Sequence, residues 1–172
     1  MIRCAMILAA TMASTVATPG MAQDREVELR QLVFELCPNI LSGTISLDDP
    51  AQFSAFGFTA IAPRETLGGK LPRAEKGTGT DRIVLSAGPG TCSIWFCGPT
   101  NPTLAGSLVT QALKAKFAGG TMPARLGDGT MAFIFKRKAE PPQTLAIFLG
   151  DAGGELDFQP ATTVVMLSDK GK

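Results

Sequence analysis

The chain has 172 residues, 16 basic and 15 acidic side chains and no histidine. The near-neutral balance argues against a nucleic-acid binder, which carries a basic excess or stripe. The missing imidazole removes Ser-His-Asp and Cys-His catalysis and histidine metal ligation. Tyrosine is absent too, so any catalysis would have to use carboxylates, lysine or a thiol.

Residues 1–22 are expected to be a secretory signal peptide. Arg3 gives a positive start, Cys4 to Val16 is an apolar run, Pro19 breaks it, and Gly20-Met21-Ala22 sets small residues before a cleavage point. The run is shorter than the roughly 20 residues that span a bilayer. No cysteine follows Ala22, so lipid attachment is not expected. The mature chain would then be residues 23–172, a single domain with 15 basic and 15 acidic residues and enough length for a sizeable core. The compartment would be periplasmic or extracellular, where disulfides persist.

Helical spacing comes first in that domain. Leu29, Leu32, Val33, Leu36 and Ile40 form one apolar stripe bordered by Cys37, which predicts a helix from Asp24 to Cys37. Pro38 is expected to end it. A short helix over Pro50 to Phe56 should follow, capped by Asp48 or Asp49, with Phe53, Phe56 and Phe58 as core anchors. Residues 63–81 mix glycines with Lys70, Arg73, Glu75 and Lys76 and lack periodicity, so a polar Gly-rich loop is expected there.

Arg82 to Ser86 and Cys92 to Cys97 predict a hairpin around Gly88-Pro89-Gly90. Asn101-Pro102 should open a largely buried helix that stops at Gly119-Gly120. Pro123 to Leu126, Met131 to Lys136, Thr144 to Leu149 and Thr162 to Leu167 then predict a meander, with Gly127-Asp128-Gly129 as its first turn. These strands are apolar on both faces, so either helices cover both sides or one face meets a partner. The expected fold is α+β: a mainly antiparallel sheet of five to six strands, two N-terminal helices and one buried central helix. Its strand-strand-helix-strand-strand-strand order resembles the profilin or PAS type of topology.

Three cysteines lie in the mature chain. In an extended strand Cys92 and Cys97 would sit roughly 16 Å apart and on opposite faces, beyond the reach of a disulfide. Cys92 shares its strand face with Ile94 and Phe96, and Cys37 borders the helix stripe, so Cys37–Cys92 is the expected bond. It would close a long loop, worth about 4 kcal/mol by the chain-entropy model.

Cys97 is then a thiol in the run Trp95-Phe96-Cys97-Gly98-Pro99-Thr100, which resembles the thioredoxin active-site turn with Thr100 in place of the second cysteine. That resemblance implies a thiol-dependent redox protein acting through Cys97. Asp151, Glu155 and Asp157 are expected in a solvated turn, because they lack EF-hand spacing. Lys136-Arg137-Lys138, with Lys114 and Lys116, could present a basic patch, though charge at a strand end also blunts edge pairing. No P-loop, Gly-x-Ser-x-Gly or Ser-x-x-Lys motif is present, and no cofactor or metal is expected.

The preferred expectation is an exported, non-catalytic binding domain. Its partner would be a protein, a small apolar ligand or a second copy of the chain, not nucleic acid. A Cys97 redox protein and an accessory subunit of an envelope assembly are the alternatives.

Overall fold

A computed structural model describes residues 26–66, 69–97, 102–120, 123–126, 130–150 and 160–168. The predicted signal peptide, the Cys97-to-Thr100 turn beyond its first residue, the Asp-Gly turn and the acidic cluster at 151–157 lie outside them.

The first helix, α1, covers residues 26–42. Leu29, Leu32, Val33, Leu36 and Cys37 are buried along it, as the stripe requires. Pro38 does not end this helix. Leu32–Leu36 is π-helical, with the Cys37 N–H donating to the Leu32 carbonyl, and Cys37–Ser42 continues as α-helix. In a regular helix the proline ring would collide with the Phe34 carbonyl and leave it unbonded. The widened turn just before Pro38 accommodates both problems. The helix stops instead at Gly43, which adopts φ +81°, a left-handed conformation that glycine takes without a Cβ penalty.

Pro50–Ser54 forms α2, with the Asp49 carboxylate accepting from the Ala51 N–H at 3.1 Å. Phe53 beneath it is fully buried. Pro102–Lys114 forms α3. It is not largely buried: Ala105, Leu108 and Ala112 face the core, while Leu113 is 46% exposed.

Among the described residues nine antiparallel strands form one open sheet, rather than five or six. They are β1 (Thr59–Thr66), β2 (Gly69–Lys76), β3 (Ile83–Gly88), β4 (Thr91–Cys97), β5 (Ala118–Gly119), β6 (Ala124–Arg125), β7 (Met131–Arg137), β8 (Gln143–Leu149) and β9 (Pro160–Ser168). The spatial order is β1-β2-β3-β4-β9-β8-β7-β5, with β6 also on β7. The extra strands correct the loop expected at 63–81. That stretch is mostly β1 and β2, whose residues are nearly all exposed or half-buried, so no apolar run marks them. Four strands therefore precede α3, not the two of the profilin or PAS type of order.

Register assigns the two faces. Ala74, Leu85, Ile94, Val164, Ile147 and Phe133 lie directly across from one another from β2 to β7. This row, with Cys92, Phe96, Leu145 and Met166, joins the buried residues of all three helices in one core. The opposite face carries Val84, Trp95, Thr163, Phe148 and Ala132 in a parallel row. Val84, Trp95 and Ala132 are buried there but stand outside the helix-covered core.

Candidate functional site

Cys37 and Cys92 form a disulfide with Cα atoms 5.6 Å apart and 55 residues between them in sequence. It fastens α1 to β4 from the side that the Cys92-Ile94-Phe96 face presents. Cys97 is a half-buried thiol at the end of β4. Its N–H donates to the Arg82 carbonyl at 3.0 Å, which sets the two residues opposite each other on the face away from the helices. The Arg82 guanidinium binds Glu75, with Nε and Nη2 both on Oε2 at 2.7 and 2.6 Å.

The basic run divides between two faces, and Arg137 reaches the end of α3, where Lys114 and Lys116 lie. Lys136 and Arg137 point to opposite faces of β7, because side chains alternate along a strand. Arg137 turns toward the end of α3: it donates to the Ala115 carbonyl at 3.4 Å, binds Gln143 Oε1, and stacks 4.8 Å over the Phe117 ring. Among the described residues no group of three or more Cys, Asp or Glu could hold a metal ion. No described helix is long and apolar enough to cross a membrane.

A cleft of about 470 Å³ is the site that sequence reasoning missed. Three segments far apart in sequence build it. One wall is the end of α1 and the loop after it, with Ile40, Gly43, Ile45, Ser46, Leu47 and Asp48; the other is Lys70, Leu71 and Pro72 of β2 with Ala87, Gly88 and Pro89 of β3 and its turn. The opening follows from the β2–β3 ladder, whose last pair on this side is Arg73 with Ser86, although both strands run on. Pro72 comes next on β2 and has no N–H with which to continue it. Leu71 then lies over Gly88, where a Cβ would come within 2.7 Å of Leu71 Cδ2.

Apolar side chains line most of this cleft, and its size is within the range of small-molecule sites. Its polar rim is ordered by short-range bonds. The Ser46 N–H donates to Gln52 Oε1 at 2.7 Å, and the Asp48 N–H donates to Ser46 Oγ at 3.1 Å. Asp49 is occupied at the start of α2, where it also accepts from Gln52 Nε2 at 2.9 Å. Lys70 pairs with Glu65 at 3.1 Å. The Asp48 carboxylate has no hydrogen-bond or ion-pair partner among the described residues.

No protein-family model, curated protein or solved structure matches the chain.

Proposed function

We propose that this chain is an exported binding domain, without catalytic chemistry of its own, that holds a small apolar ligand in the cleft between the end of α1 and the β2–β3 splay. The observation that carries the reading is the cleft itself: about 470 Å³, mostly apolar, and framed by a helix end that the disulfide ties to the sheet. Burying a ligand there recovers roughly 25 cal/mol per Å² of apolar surface removed from water. Export is supported by the apolar run and small-residue cleavage pattern of residues 1–22, and by a disulfide that an oxidising compartment would maintain.

Two measurements test this. Intact mass of the exported protein should place its start at Gln23; a retained N-terminus would remove the export half of the reading. For the cleft, the neutral dye Nile red should bind saturably with enhanced emission. Ala87→Leu adds side-chain volume at the cleft floor and should weaken binding several-fold, with the fold checked by circular dichroism. Equal binding by a folded Ala87→Leu protein would contradict the cleft as the site.

A further inference from the structure

We infer that the ligand of this cleft is an apolar amine, held with its alkyl body on the floor and its ammonium group against Asp48. The inference rests on the cleft reading above and adds the chemistry of the head group. Two charged residues line the cleft, Asp48 on the loop wall and Lys70 on β2. Their situations differ. The Lys70 ammonium already has a carboxylate, Glu65 on the neighbouring strand, at 3.1 Å. The Asp48 carboxylate is exposed and has no partner among the described residues; the adjacent Asp49 takes the capping role at α2.

The Asp48 backbone is held in place by its bond to Ser46 Oγ, and Ser46 is itself held by Gln52. The carboxylate left without a partner at the mouth is therefore that of Asp48, exposed to solvent beside an apolar floor of Ile45, Leu47, Leu71 and Ala87. A cation with an apolar tail complements that arrangement. An alkyl carboxylate would meet Asp48 as a like charge and would have to compete with Glu65 for Lys70. Because the rim is open to water, the head group sets preference and the apolar body supplies most of the affinity.

Three probes with one chain length separate these contributions: octylammonium, 1-octanol and octanoate, each titrated below its self-association concentration into 15N-labelled protein. All three should shift the amide resonances of Ser46, Leu71 and Gly88. Octylammonium should bind about three-fold tighter than octanol, and octanoate more weakly than octanol. Asp48→Asn should bring octylammonium down to the octanol value, and added salt should shrink the preference in the native protein. Equal affinities with shifts at those amides would overturn the amine assignment and leave the cleft reading standing. An octylammonium preference that survives Asp48→Asn would also overturn it. No shifts at those amides with any probe would remove the cleft reading as well.

Discussion

Strands β3, β4, β8 and β9 bury residues on both faces, whereas β1 and β2, at one edge of the same sheet, leave most positions exposed or half-buried. The difference is one of anchoring. The central strands are held by a continuous apolar core and by a disulfide to α1. The β1–β2 hairpin buries only Ala74 in that core and adds polar contacts to its ladder with β3. Lys76 pairs with Glu28 of α1, donates to the Phe56 carbonyl at 3.0 Å, and sits 5.2 Å from the Phe58 ring centre. Glu75 binds Arg82 at the start of β3. Pro63 and an irregular register between Ile61 and Arg64 interrupt the outer edge of β1, which discourages pairing with another chain. The cleft opens where these two regions part company, past Arg73 and Ser86.

The largest effect should come from the staple. Replacing Cys37 and Cys92 together by alanine should cost about 4 kcal/mol in denaturant unfolding; a loss below about 1 kcal/mol would show that the disulfide is incidental to the centre. Side-chain truncation sharpens the contrast next. Leu85→Ala, at a fully buried position of β3, should cost about 2–5 kcal/mol. Ile61→Ala, at a half-buried position of β1, should cost under about 1 kcal/mol. Similar losses at both sites would erase the distinction between core and edge.

Lys76→Met removes the polar clamp and should cost about 1–2 kcal/mol. Amide hydrogen exchange should then speed up across residues 59–76 before it changes in β3 or β4; a uniform increase would mean that hairpin and centre open as one unit. The smallest effect concerns Thr163, whose buried hydroxyl on the face away from the helices has no hydrogen-bond partner among the described residues. Thr163→Val should leave stability unchanged or raise it slightly, and a clear loss would contradict that assignment.

The centre of this protein was legible because its residues announce their burial. The runs RIVLS, CSIWFC and TLAIFL are mostly buried, whereas MAFIFK leaves Met131 and Ile134 exposed, and the opposing faces of Cys92 and Cys97 left Cys37 and Cys92 as the workable pair. The edge was not legible for the converse reason. Arg64, Glu65, Lys70, Arg73, Glu75 and Lys76 satisfy a strand whose side chains meet water, and the same composition satisfies a loop.

Pro38 misled in a different way, since its penalty in a helix interior is real but local widening absorbs it. The cleft left no trace in any single window, because residues 40–48, 70–72 and 87–89 meet only in the folded chain, past the last pair of the β2–β3 ladder. Asp48 was read with Asp49 as a capping residue, and the structure gives that task to Asp49 alone.

Amide shift mapping with 1-octanol on the 15N-labelled protein tests the central claim most directly, because a neutral probe reports the apolar site without help from charge. Saturable shifts concentrated at Ser46, Leu71 and Gly88, on the two cleft walls, are expected. Shifts concentrated instead around Ile134 and Leu167, the exposed apolar residues on the face away from the helices, would contradict it and move the binding site to the open sheet.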